Sequence, residues 1–180
     1  MKRLNPDALK MGDIVLVDTE NPVIEAVQWK LRYGVNSRWT HVGGSLGGYD
    51  LIEAAQPFSR IINVQRQYVD RGYAIQVMHP RYVEPEDRYK VAAWWASLNN
   101  LSYAYTGVVW FGLAAVFGKG LLWARNKLNL PISIFCSELL THGLYKEGYN
   151  LFDRPAANVL PADYADTSTL DLITNIWLPT

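Results

Sequence analysis

"IFCSELL", at residues 134–140, contains the only cysteine of the 180-residue chain. The preceding Pro-Ile-Ser, at residues 131–133, is a plausible helix entry in which Ser133 would be the N-cap. The apolar residues that follow recur at helical spacing. The pattern therefore predicts a helix with Cys136 in its first turn, where unpaired backbone N–H groups and the helix dipole favour a thiolate.

A cysteine in this position has two interpretations. It could be a nucleophile, provided that a cationic partner lies near it. It could equally be a buried structural residue, because free cysteine is among the most buried residue types. The surroundings of Cys136 leave both open, so a candidate base has to be sought elsewhere in the chain.

The composition limits the classes of function. The 17 basic and 17 acidic residues cancel, and no basic stripe predicts binding to nucleic acid. A single cysteine rules out an intramolecular disulfide and a cysteine-based zinc site, and we expect neither a metal nor another cofactor. Residues 1–7 are not followed by an apolar run, so no signal peptide is predicted and a cytoplasmic or phage-associated protein is the default.

The best candidate base lies in a predicted β-hairpin. Two short runs, residues 39–46 and 49–55, flank a pair of glycines. A two-residue loop would put Glu53 on the face opposite His41, whereas a three-residue loop with Gly48 left-handed would pair His41 directly with Glu53. We predict the second register. His142 follows Cys136 by six positions on the same helix and points away from it, and His79 is predicted in a loop before a proline.

One apolar segment stands out. Residues 107–118 carry no polar side chain, and residues 121–123 continue the pattern after a short interruption. The run is too short to span a bilayer. It predicts either a helix packed on the domain or an element that faces lipid or covers substrate, which would give contact with a membrane surface through residues 107–123.

The remaining elements follow from apolar periodicity and turn residues. We predict strands at 14–17, 61–64 and 73–78, helices at 23–33 and 84–98, a polar connection at 67–73, and a short helix or turn at 161–164. The tail at 169–177 fits either a helix or a strand.

Three motifs together resemble a known superfamily. They are "GDIVLV" at residues 12–17, "THVGGSLGGYDLIEA" at 40–54 and "FCSELL" at 135–140, with "PADY" at 161–164 as a further element. In the order histidine, acidic residue, cysteine, they resemble the circularly permuted branch of the NlpC/P60 papain-like superfamily, the YiiX-like proteins related to lecithin–retinol acyltransferase. The resemblance implies an α+β fold, with an antiparallel sheet or small barrel packed against helices. It also implies one domain over residues 1–180, with an apolar insertion at about 107–129.

The resemblance also implies roles for individual residues. Cys136 would be the nucleophile, His41 its general base and later its general acid, and Glu53 the group that orients the imidazole. Tyr103, Tyr105 and Trp39 are candidates for contacts to substrate; either tyrosine is also a candidate second oxyanion donor beside the Cys136 N–H.

The expected activity is that of a cysteine peptidase or amidase that cleaves an amide in a peptide or peptidoglycan-type fragment. A lipid-directed thiol acyltransferase or acyl hydrolase is the alternative. A binding module that keeps the fold without turnover is the third possibility.

Overall fold

The computed structural model describes residues 2–32, 34–35, 38–103, 105–118 and 133–178. Its strands are β1 (Ile14–Asp18), β2 (His41–Gly47), β3 (Asp50–Ala54), β4 (Ser59–Asn63), β5 (Ala74–Pro80), β6 (Ser102–Tyr103), β7 (Ser133–Ile134) and β8 (Leu170–Ile173). Its helices are α1 (Pro22–Leu31), α2 (Pro85–Ser97), α3 (Tyr105–Phe117), α4 (Cys136–Lys146) and α5 (Asp163–Asp166). Short helical turns occur at Pro6–Ala8 and Ala156–Asn158, and a π-helix at Gln65–Val69.

Six strands form one antiparallel sheet in the order β4-β3-β2-β1-β5-β8, and β6 pairs with β7 in a separate parallel ladder. The run Ile-Val-Leu-Val makes β1 apolar on both faces, as expected of a strand covered on both sides. Ile14 and Leu16 face one core, and Val15 and Val17 face the other. The predicted α+β fold, with an antiparallel sheet packed against helices, is confirmed.

The two cores have different covers. Helices α1 to α4 all contribute to the first core, with Trp95 of α2 and Leu139 of α4 fully buried in it. The second core is closed by Leu4 near the N-terminus, Tyr68 of the π-helix and Ile176 near the C-terminus. The sheet therefore carries its helical layer on one face and short terminal segments on the other.

Trp95 sets the distance between the sheet and α4. A Cβ added to Gly44 of β2 would lie 2.4 Å from Trp95 Cε3, and one added to Gly143 of α4 would lie 2.2 Å from Trp95 Nε1. The indole N–H donates to the Leu140 carbonyl at 3.2 Å. The ring is thus wedged between two glycine backbones, which brings α4 close to β2.

The predicted hairpin register is wrong. Gly43, not His41, lies opposite Glu53, and Gly47 pairs with Asp50. The turn lies at residues 48–49, later than in either loop considered from the sequence, and Leu46 is an extra residue in β2, a β-bulge. The turn position and the bulge together set the observed register. Gly48 is left-handed as predicted, with a φ of 61°.

Other elements differ from the sequence prediction in their ends. Strand β4 begins at Ser59 rather than Ile61, and His79 belongs to β5 rather than to a loop. The predicted polar connection at 67–73 contains part of the π-helix, and the undecided tail forms β8.

The apolar segment is helical up to Phe117, and the rest of the predicted insertion, residues 119–129, lies outside the described residues. None of the described helices is both long enough and apolar enough to span a membrane.

Candidate active site

Cys136 is the first residue of α4. Phe135 is the N-cap, with extended backbone, so the predicted N-cap is wrong, and Ser133 lies two residues before the cap, in β7. The first intrahelical bond runs from the Leu139 N–H to the Phe135 carbonyl at 2.9 Å. The N–H groups of the first turn, including that of Cys136, therefore point out of the helix end and can bind developing negative charge beside the thiol.

The "PADY" element supports this first turn from below. Tyr164 is fully buried, and its hydroxyl donates to the Ser137 carbonyl at 3.0 Å. Ser137 in turn donates its hydroxyl proton to the Val159 carbonyl. Asp163 accepts from the Leu160 N–H at 2.8 Å, which closes the turn that carries Tyr164. These bonds fix the position of the first turn of α4 and with it the position of Cys136.

His41 links Cys136 to Glu53. Its Nε2 lies 3.0 Å from Glu53 Oε2, and its ring lines the same slot as the thiol of Cys136. Because Nε2 is engaged by the carboxylate, Nδ1 is the ring nitrogen left for the thiol. The structure thus brings all three predicted catalytic residues together, with Cys136 and Glu53 buried and His41 13 % exposed.

Two further side chains hold Glu53. Arg60, opposite Glu53 on β4, donates from Nε to Oε1 at 2.9 Å. Tyr68 donates its hydroxyl proton to Oε2, the oxygen that also contacts His41. Burial, followed by the charge of Glu53, raises the pKa of Tyr68 well above its usual value, so the hydroxyl keeps its proton. Both oxygens of the fully buried Glu53 carboxylate therefore accept hydrogen bonds from protein groups.

These contacts set the charges of the site. Burial opposes the charged form of His41, but hydrogen bonds to Cys136 and Glu53 and their negative charges outweigh it and raise its pKa to about 10. Burial likewise opposes the ionised form of Glu53, but His41, Tyr68 and Arg60 together lower its pKa to about 2. At neutral pH the arrangement is an imidazolium held against a carboxylate, the form that stabilises a neighbouring thiolate.

A narrow apolar slot opens beside the thiol. Its volume is about 70 Å³, well below the ~300–1,000 Å³ of sites for drug-sized ligands. Apolar side chains from two helices and a loop form most of its wall, among them Val23, Ile24, Val27, Phe111 and Leu160. Cys136 and His41 lie at one side of it. The wall of the slot is therefore suited to contact hydrocarbon.

The three predicted substrate-contact residues fare differently. Tyr103, half-buried, lines the slot. Trp39 packs against the first core, its ring lies 4.8 Å from the Arg38 guanidinium, and among the described residues it is not part of the slot wall. Tyr105 begins α3, and its side chain lies outside the described part of the structure. A role for either tyrosine as oxyanion donor stays a prediction.

Sequence reasoning missed Arg60 and Tyr68. Arg60 could have been found as a cross-strand partner of Glu53 had β4 been started two residues earlier. Tyr68 carried no such signal, because a π-helix leaves no periodicity that distinguishes it from a polar connection. His142, as predicted, is not a partner of the thiol; it is exposed and lies 3.8 Å from Glu138.

Among the described residues, no group of three or more histidine, cysteine, aspartate or glutamate side chains is arranged to hold a metal ion.

Comparisons with known proteins show a similarity at the level of the fold. No family model matches the chain, and no curated protein sequence matches it. A solved structure, described as that of metalloprotein YiiX from Escherichia coli O157:H7 (DUF1105), is 13 % identical. The similarity covers 94 % of this chain and 98 % of that one, with a TM-score of 0.59. The comparison confirms the YiiX-like fold implied by the sequence motifs: this chain shares the fold of that structure.

Proposed function

We propose that the protein is a thiol hydrolase that acts through a thioester acyl-enzyme. The observation that carries the proposal is the line from Cys136 through His41 to Glu53 at the start of a helix. A nucleophile, a base within reach and a group that orients the base are the parts that covalent acyl transfer needs.

The reaction uses each group in turn. The Cys136 thiolate attacks the substrate carbonyl carbon, and the negative charge moves to the carbonyl oxygen near the Cys136 N–H. The His41 imidazolium then gives its proton to the leaving amine or alcohol as the tetrahedral intermediate collapses to the thioester. Water attacks the thioester while His41 takes its proton, and the released carboxylic acid leaves the thiolate–imidazolium pair restored.

The leading substrate is an amide in a peptide or peptidoglycan-type fragment, which the sequence motifs support by resemblance. The test is mass spectrometry of the intact protein after incubation with peptidoglycan peptides. We expect an acyl adduct on Cys136 that decays with product formation and does not form in Cys136→Ala. A reactive thiol that acquires no adduct and releases no product would favour a binding module.

A second candidate substrate is an acyl lipid, and the apolar slot favours it. The two helices that form the slot also expose apolar side chains, including Val23 and Trp29 on α1 and Val116 and Phe117 on α3. An acyl chain entering from a membrane surface would meet these residues before the thiol. An adduct formed with a phospholipid or short acyl ester, and not with peptides, would select this candidate.

Contact with a membrane surface is tested separately by sedimentation with phosphatidylcholine–phosphatidylglycerol vesicles. Val116→Ser with Phe117→Ser removes the most exposed apolar groups of α3 and should abolish binding without unfolding the protein. Phe111 is unsuitable for this test because it is buried in the first core. Its polar replacement would report stability instead. Vesicle binding that survives the double substitution contradicts contact through α3.

A further inference from the structure

The oxygen of Glu53 that faces His41 also receives the Tyr68 hydroxyl. The other oxygen is held by Arg60 Nε at 2.9 Å. A carboxylate with bonds of this kind at both oxygens has one favoured orientation, because rotation would break at least one charge-assisted bond. The hydrogen bond from Tyr68 therefore helps to determine the position of the Glu53 oxygen that contacts His41.

We propose that Tyr68 is a positioning residue of the Cys136 reaction, whose hydroxyl keeps Glu53 ionised and oriented towards His41. The inference rests on the proposed function, since it gives Tyr68 a part in the same chemistry. It goes beyond the three-residue set, because Tyr68 acts on the thiol only through Glu53 and His41.

Tyr68 is well fixed for this task. It is 5 % exposed, and its ring lies 6.1 Å from the His41 ring and 6.0 Å, edge-on, from that of Tyr73. The π-helix that carries it is tied to the N-terminal segment, since the Leu4 N–H donates to the Gln65 side chain at 2.8 Å. Single π-turns occur frequently at functional sites, where they set one side chain in an otherwise unreachable direction.

Tyr68 and Arg60 differ in how strongly each interacts with Glu53, because the two interactions are buried to different extents. The Arg60 side chain is 43 % exposed, so solvent weakens its interaction with Glu53. The bond from Tyr68 is buried, and water cannot replace it when the hydroxyl is removed. The groups that face Glu53 are thus His41 from β2, Arg60 from β4 and Tyr68 from the π-helix, with the Cys136 thiol beyond His41.

The test is the pH dependence of Cys136 alkylation by iodoacetamide in wild type, Tyr68→Phe and Tyr73→Phe. Phenylalanine keeps the ring and its packing, and a cooperative thermal unfolding transition verifies that the variant is folded. Losing one donor makes Glu53 easier to protonate, and a protonated Glu53 no longer stabilises the imidazolium. We therefore expect the acid limb of the Tyr68→Phe profile to move to higher pH by about half a unit to one unit. Tyr73→Phe, which alters the same aromatic cluster, should follow the wild-type profile.

The outcomes separate this inference from the proposed function. A reactive wild-type thiol with superimposable wild-type and Tyr68→Phe profiles contradicts the role of Tyr68 and leaves the hydrolase intact. An equal shift in Tyr73→Phe would also contradict it, because the effect would then come from packing. A wild-type thiol that is inert at every pH, and unaffected by removing His41, contradicts both.

Discussion

His41 Nε2 lies 3.0 Å from Glu53 Oε2 although the two residues are not opposite each other in the hairpin. Gly43 occupies the position across from Glu53, so the pair is diagonal. Diagonal neighbours are about 7–8 Å apart at the backbone, within reach of two long side chains. The imidazole and the carboxylate thus meet along the hairpin, and glycine at 43 places no side chain between them.

Replacing the nucleophile separates chemistry from folding. Cys136→Ala should lower turnover by at least about 10³-fold, because no other group can form the thioester. The thiol is buried but small, so far-UV circular dichroism and thermal unfolding should show a folded protein. Residual turnover near the wild-type rate would mean that another residue is the nucleophile.

Substitutions of His41 and Glu53 should lower turnover by different factors. His41→Ala removes the proton carrier and should cost about 10²–10⁴-fold in turnover. Glu53→Gln keeps the size of the side chain but loses its charge, and we expect a smaller loss, because His41 can still transfer protons. Steady-state kinetics of the two variants measures the order. Equal activity of wild type and both variants would refute the catalytic set.

Stability should depend on the charge of His41. Its pKa is about 10 in the folded protein against an ordinary 6.5. A raised pKa stabilises the fold fully below the unfolded value and loses that contribution as the pH rises through the folded one. Urea unfolding should therefore show His41→Ala to be more destabilising at pH 6 than at pH 10.5. A difference that grows with pH would show that the imidazolium is not the favoured form.

The packing of Trp95 against Gly44 predicts that Gly44 cannot be replaced by a larger residue without loss of stability. Gly44→Ala puts a methyl group 2.4 Å from Trp95 Cε3, and we expect a loss of about 1–3 kcal/mol in unfolding free energy. Gly112→Ala is the control, because its Cβ would meet nothing within 4 Å and alanine favours the helix by about 0.5–1 kcal/mol. If Gly44→Ala is as stable as Gly112→Ala, the packing of α4 on β2 is looser than described.

The sequence was informative where local patterns dominate. The apolar run of β1, the helix with Cys136 in its first turn and the hairpin that carries His41 and Glu53 could all be predicted from periodicity and motif order. The hairpin register could not, because neither the turn at residues 48–49 nor the bulge at Leu46 leaves a composition signal that fixes its position. Nor were the donors to Glu53 found, since Arg60 depends on where β4 begins and Tyr68 on a π-helix.

The most direct test of the account is the pH profile of Cys136 alkylation by iodoacetamide in the native protein and in His41→Ala. The account predicts a thiol that reacts well below pH 8 in the native protein, with this low-pH reactivity abolished in the variant. A thiol that stays inert in both, or reacts identically in both, would contradict a Cys136–His41 pair and with it the proposed hydrolase.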